Sequence, residues 1–147
     1  MMIKYYSDSP EATEQLGQRI AKTLKGNEVI AMFGGLGMGK TAITRGIAAG
    51  LGAQDCVSSP TFALVNEYEG RCKIYHFDMY RINGIDDLYA IGFFDYLDTG
   101  VLIIEWSENI ADALPDDSII VRFERGEDEN SRVITVEGER FDENFSV

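Results

Sequence analysis

The chain is short of the residues on which several kinds of protein chemistry depend. Its 147 residues hold one histidine, one tryptophan, three prolines and two cysteines. Cys56 and Cys72 fall in no metal-binding or redox spacing, which removes zinc-ribbon and thioredoxin-type chemistry and leaves both as ordinary buried or strand residues. No apolar run is long enough to span a membrane, and the opening MMIKYYSDSPEAT lacks the apolar core of a signal peptide, so a cytoplasmic protein without membrane attachment is expected. Basic residues are scarce as well: 13 Lys+Arg face 25 Asp+Glu, for a net charge of −12. The scarcity is uneven, with six Lys+Arg against four Asp+Glu in residues 1–54 and seven against 21 in residues 55–147. A nucleic-acid backbone is gripped by clustered Lys and Arg, so this chain is not expected to hold RNA alone. The acidic surface serves either solubility or a basic protein partner, and composition does not separate the two. With 45% hydrophobic residues, no internal repeat and no low-complexity linker, residues 1–147 read as one domain with a real core.

Glycine, in contrast, is concentrated in one place. The segment EVIAMF-GGLGMGKT-AITRGIAAGLG runs from an apolar β-rich stretch through a glycine turn into a helix former. Gly34, Gly39, Lys40 and Thr41 fill every fixed position of G-x-x-x-x-G-K-[ST], the phosphate-binding loop of P-loop NTPases. A triphosphate tail needs many donors converging on a small concavity, and backbone N–H groups at a helix N-terminus supply them. Side chains would obstruct that approach, which accounts for Gly34, Gly35, Gly37 and Gly39. The cradle therefore comprises Gly34, Gly35, Leu36, Gly37, Met38, Gly39, Lys40, Thr41 and Ala42, with Lys40 as the charge for the β- and γ-phosphates and the Thr41 hydroxyl as a magnesium ligand.

The flanking sequence organises around this loop. Ser9-Pro10-Glu11 starts a helix of about four turns, carrying Leu16, Ile20 and Leu24 as its apolar stripe and stopping at Gly26. Tyr5–Ser9 before it reads as an edge strand or a loop. Thr41–Leu51 repeats the four-residue spacing with Ile43, Ile47 and Leu51; Arg45, one turn beyond Thr41, reads as an exposed helical arginine rather than a phosphate ligand. Ser58, Ser59 and Thr61, beside Pro60, offer either plain turn chemistry or a second hydroxyl for the γ-phosphate. Phe62–Glu69 and Cys72–Tyr80, joined by Gly70-Arg71, predict an antiparallel hairpin that sets Ile74, His76, Asp78 and Tyr80 on one face. A lone histidine is more often structural than catalytic, yet Asp78 beside it is able to hold it in register or approach a metal. Gly84–Leu97 suggests two short helices broken at Gly92.

A second decisive stretch is Gly100–Trp106, GVLIIEW. Four consecutive aliphatics, Val101–Ile104, predict a strand buried on both faces and parallel to the first, with Glu105 at its C-terminal tip. A carboxylate there, beside a phosphate loop, is the Walker B arrangement, meeting magnesium or orienting the attacking water. Ser107–Leu114 reads as a capped helix. Ile119–Phe123 and Val133–Val136 read as an antiparallel hairpin at the far edge of the sheet, from which Arg125 and Arg132 reach toward a nucleotide base or ribose. The tail from Glu139 reads as frayed. The fold expected is α/β: a P-loop NTPase-like three-layer sandwich whose central mixed sheet has parallel core strands and antiparallel hairpins.

The chain resembles the bacterial TsaE family, small ATPases of tRNA threonylcarbamoyladenosine (t6A) synthesis. The resemblance covers nearly the whole chain and rests on G-x-L-G-x-G-K-T followed by Thr44-Arg45-Gly46, on Ser59-Pro60-Thr61-Phe62, on His76-Phe77-Asp78-Met79-Tyr80-Arg81, and on Ile104-Glu105-Trp106 with Leu114-Pro115. It implies binding of ATP/ADP with Mg2+ and an ATP hydrolase, weak alone and stimulated by its partners. Those partners are TsaD and TsaB, and tRNA is met only through their complex. Carried over by motif, Lys40 grips phosphate, Thr41 and Glu105 fall on metal positions, Asp78 on a motif acid and Thr61 in a switch-like segment, while Trp106 packs beside the nucleotide. Which of Asp78 and Glu105 positions the water stays open, as does monomer against weak dimer. The family usually writes G-D-L-G-A-G-K-T-T; this chain has Gly35, Met38 and Ala42 at the three differing places.

Rival readings lack their motifs. A regulatory GTPase needs N/T-K-x-D and D-x-x-G, and neither occurs, so adenine nucleotides are expected in preference to guanine. A small-molecule or nucleotide kinase of the P-loop class, the main alternative, usually carries an arginine-rich lid, yet the seven Lys+Arg beyond residue 54 do not cluster. In a non-hydrolysing binding module Lys40, Thr41 and Glu105 together would be surplus.

Overall fold

The computed structural model describes residues 2–34, 39–54, 57 and 65–138. Expectations for Gly35, Leu36, Gly37, Met38, Cys56, Ser58, Ser59, Pro60, Thr61 and the tail from Glu139 lie outside those residues.

Seven strands form one mixed sheet. In chain order the elements are β1 (Met2–Ser7), α1 (Pro10–Ala21), β2 (Val29–Phe33), α2 (Lys40–Gly50), β3 (Val65–Glu69), β4 (Lys73–Asp78), α3 (Ile85–Ala90), α4 (Phe93–Tyr96), β5 (Val101–Glu105), a 3-10 helix at Ser107–Ala113, β6 (Ile119–Arg125) and β7 (Arg132–Glu137). The strand order is β1-β7-β6-β2-β5-β4-β3. β6, β2, β5 and β4 run parallel, and the β3–β4, β6–β7 and β1–β7 pairs are antiparallel.

The apolar run of β5 accounts for its central place. Val101 and Ile103 join a core with Leu16 and Ile20 of α1 and Ile43 and Ile47 of α2. Leu102 and Ile104 join a second core with Leu88, Phe93 and Ile110. One strand thus feeds two apolar layers, as a strand buried on both faces must, and the sheet lies between α1/α2 on one side and α3, α4 and the 3-10 helix on the other.

The loop-bearing helix is fixed by close packing. Ser9 caps α1 by accepting the Ala12 N–H at 3.1 Å, and Pro10 opens the helix. α1 meets α2 through glycines: a Cβ on Gly46 would drive into the Glu14 carbonyl, and one on Gly17 into the Ile43 carbonyl. Backbone on both sides leaves nothing to yield. Gly46→Ala should therefore cost about 2–3 kcal/mol of unfolding free energy, read as a lower urea midpoint; an unchanged midpoint would mean the helices separate freely. Arg45 reaches Glu14 of α1 at 3.6 Å, in keeping with the helical-surface reading.

Four expectations change. α1 ends at Ala21, a turn early, because Thr23 Oγ1 donates to the Ile20 carbonyl and the Glu28 carboxylate collects the N–H groups of Lys25, Gly26 and Asn27. The edge strand starts at Met2, ahead of Tyr5. The β6–β7 hairpin is not at the far edge: its alternating Ile119, Val121 and Phe123 are buried, so β6 pairs with β2, and β1 takes the edge beyond β7. Ser107–Ala113 is not a side-chain-capped α-helix but a 3-10 segment entered through Trp106 in the left-handed region (φ 59°, ψ 42°) and kinked at Ile110. Ser107 Oγ turns back to the Ile104 carbonyl at 3.1 Å instead of capping. Gly92, with φ 73°, does separate α3 from α4.

Candidate functional site

Parallel strands gather their C-terminal ends on one side of the sheet, and ligands of α/β proteins bind there. β2 ends at Phe33, β5 at Glu105, β4 at Asp78 and β6 at Arg125. The register sets Asp78 directly beside Glu105, and their side chains emerge on the face covered by α2. Lys40 begins α2 over this row.

The glycines bounding the loop are required locally. Gly34 has φ +143°, and a Cβ there would stand 3.1 Å from both the Phe123 Cβ and its carbonyl oxygen. Gly39, at φ +95°, precedes the first residue of α2, and its carbonyl accepts the Ile43 N–H at 3.1 Å. Both conformations penalise any other L-residue.

Lys40 is buried, with 5% of its surface accessible. Its Nζ donates to the Gly34 carbonyl at 2.7 Å and lies 4.4 Å from the centre of the Trp106 ring. Burial lowers its pKa, against the opposing pull of Glu105, Glu108 and Asp78. The ammonium is thus largely dehydrated, with the charges of Glu105, Glu108 and Asp78 offsetting part of the cost of burying it. Trp106 also packs against Tyr80 in a tilted arrangement, with ring centres 5.0 Å apart. Its left-handed backbone turns it off the end of β5 and under Lys40.

Glu105 is nearly enclosed and pairs with His76, Nε2 to Oε2 at 2.5 Å. His76 is fully buried one strand away, diagonal to Glu105. A carboxylate accepts, so Nε2 carries the proton, and among the described residues Nδ1 has no hydrogen-bond partner. One carboxylate oxygen, Oε2, is therefore committed to the histidine. The histidine, read from the sequence as more often structural than catalytic, bonds the acid at the tip of β5. Asp78 differs: it is half-buried, and its Oδ1 accepts the Tyr80 N–H at 2.9 Å.

The remaining candidates stand as follows. Thr41 is the second residue of α2, half-buried, and Ala42 packs into the core. Arg132 opens β7 opposite Arg125 and Ser7, on the same side of the sheet as the phosphate loop, and donates to the Glu129 and Ser131 carbonyls at 2.8 Å each. Cys72 is half-buried just before β4 and packs against the core, and burial raises its pKa, which suits an ordinary packing residue better than a reactive thiol. One participant escaped the sequence reading. Glu108 Oε2 accepts the Gly34 N–H at 2.9 Å, a contact across 74 positions. No periodicity marks Glu108; it is one acid among many in this half of the chain, and only the 3-10 turn after Trp106 brings it to the loop.

Comparison with known proteins gives the family and the fold. The family model described as threonylcarbamoyl adenosine biosynthesis protein TsaE matches residues 7–134. A protein of Treponema pallidum named tRNA threonylcarbamoyladenosine biosynthesis protein TsaE is 37% identical over 131 residues, covering 88% of this chain and 96% of its own. One of the same name from Bacillus subtilis is 34% identical over 143 residues, covering 95% and 89%. The crystal structure of YdiB from Bacillus subtilis superposes with a TM-score of 0.73 at 31% identity, over 94% of this chain and 86% of that one. A mixed sheet with the P-loop-like α/β arrangement is common to fold and comparison, and the chain belongs to the TsaE family.

Proposed function

We propose that this chain is a magnesium-dependent ATPase of t6A synthesis that binds TsaD and TsaB and sustains their cycle by ATP turnover, without itself transferring the threonylcarbamoyl group. The observation that carries the reading is the meeting of Lys40, Glu105 and Asp78 at the C-terminal ends of β2, β5 and β4. The names of its relatives supply the pathway. The setting is cytoplasmic, and among the described residues no helix is long and apolar enough to cross a membrane.

The donor set fits magnesium: the Thr41 hydroxyl and the free oxygen of Glu105 are hard oxygen ligands, and Mg2+ accepts one or two such groups alongside phosphate oxygens. Bound there, the ion would neutralise charge on the β- and γ-phosphates. The chain's own residues do the rest. The α2 N-terminus and Lys40 bind the phosphates, Trp106 holds the lysine stem and head in place, His76 fixes the Glu105 carboxylate, and Asp78 or Glu105 orients the attacking water. Arg132 serves the base or ribose. The cluster holds no arginine among its described residues, so a stabilising cation supplied by a partner is expected to limit the rate.

ATP hydrolysis measured alone and with TsaD and TsaB tests the reading. Slow release of phosphate alone, rising at least about tenfold in the complex, is expected, with GTP a poorer substrate. No hydrolysis in either setting, or equal use of GTP, would overturn it.

A further inference from the structure

Glu108 has no part in the chemistry just described, yet it touches the first glycine of the phosphate loop. Its carboxylate accepts the Gly34 N–H at 2.9 Å, and its charge acts on Lys40, second in strength only to that of Glu105. A carboxylate bonded to a loop amide and attracted by the loop lysine makes the same two kinds of contact that a phosphate oxygen would make. We propose that Glu108 is an internal counter-anion of the phosphate loop, which nucleotide must displace, and that it sets the affinity of the site. The proposal rests on the assignment of the loop to nucleotide phosphates.

Three observations support displacement over a fixed structural role. The Glu108–Gly34 bond is exposed to solvent, so breaking it leaves neither partner buried without water. The backbone on either side of Glu108 is anchored: Ser107 Oγ donates to the Ile104 carbonyl, and Asn109 Nδ2 to the Met79 carbonyl at 2.7 Å and the Tyr80 carbonyl at 3.2 Å. The side chain alone therefore has to swing, which needs no unfolding. Finally, a phosphate tail drawn to Lys40 brings several negative charges to the same lysine, and two anions that close repel. As Glu108 leaves, Lys40 redistributes between Trp106 and phosphate, so the indole emission registers the exchange.

Titration of ATP, ADP and inorganic triphosphate into the wild-type chain and Glu108→Gln, followed by calorimetry and by Trp106 emission, tests this. Glutamine keeps the size and removes the charge. Binding of all three should tighten by roughly three- to tenfold, the gain should be largest for the most highly charged ligand, and it should shrink as salt is raised from about 0.05 to 0.5 M. Glu108→Asp, still charged but one methylene short of the Gly34 amide, should fall between the two. Unchanged or weaker binding in Glu108→Gln while the wild type binds normally would overturn the counter-anion role and leave the nucleotide assignment standing. Failure of both proteins to bind any of the three ligands would overturn both; binding by the glutamine variant alone would support the counter-anion role.

Discussion

Glu105→Gln should lower ATP turnover by about 10²- to 10³-fold while changing ATP affinity by less than about threefold. The reasoning follows from how the carboxylate is held. One oxygen receives the His76 Nε2–H, and under the proposed function the other serves metal or water. Glutamine has the same shape and turns its carbonyl to the histidine, so the fold and the phosphate contacts of Lys40 persist while the charge needed at the reacting centre is gone. Glu105→Ala removes the acceptor as well. His76 then has neither ring nitrogen satisfied in a fully buried position, and the alanine variant should lose a further 1–3 kcal/mol or so of stability that the glutamine variant keeps. Single-turnover hydrolysis and thermal unfolding of the two variants check both halves. Full turnover in either variant would remove Glu105 from the mechanism.

Lys40→Met should abolish binding, weakening ATP by at least about 100-fold, yet the nucleotide-free fold should melt no lower than the wild type. These opposite signs come from the same burial. Desolvation holds the Lys40 pKa below the ordinary lysine value of 10.5, so the unfolded chain binds this proton more readily than the folded one. Stability contributed by such a group rises with pH: the penalty of the buried charge is fully present below the folded pKa and fades as pH climbs toward 10.5. Methionine carries no charge to desolvate and keeps the apolar stem against Trp106. The advantage of the variant should therefore be largest at neutral pH and disappear in alkali. Melting curves across that range, beside ATP titrations read by Trp106 emission, give the comparison. A variant that lost binding only because it lost its fold would contradict the reading of Lys40 as a functional residue held at a cost in stability.

Local chemistry made the loop legible, and the strand pattern made the sheet legible. Gly34 and Gly39 take the positive φ that glycine allows and Lys40 opens the helix where the spacing put it, and Val101–Ile104 announce a strand buried on both faces because four aliphatics in succession do not suit an exposed strand. The position of Asp78 beside Glu105 was half legible: alternation gave the face of Asp78 and the apolar run gave the strand end at Glu105, but only strand pairing gave the register. What stayed hidden were relationships between distant segments. The placing of β6 beside β2 depends on which apolar faces α1 and α2 cover, which a run such as IIVRF does not state. For His76 the sequence offered Asp78 of the same strand as a partner, whereas the bond runs to Glu105 on the next strand, a neighbour that only strand pairing supplies. Glu108 was concealed by the left-handed Trp106, an unusual conformation for a bulky residue, which swings the following turn toward the loop.

The position of β2 also bears on how the chain is made. This strand, which leads into the phosphate loop, has as its two sheet neighbours β5 and β6, both from residues beyond 100. During synthesis the segment Val29–Phe33 leaves the ribosome long before either neighbour exists, with its ladder groups unpaired and its apolar side chains uncovered. α1 and α2 can pair early, because they are close in sequence and join through glycine contacts, but the site waits for long-range closure. An emerging chain truncated before β6 thus contains the phosphate-loop motif and the acid at the tip of β5 but lacks part of the sheet that would shape the site.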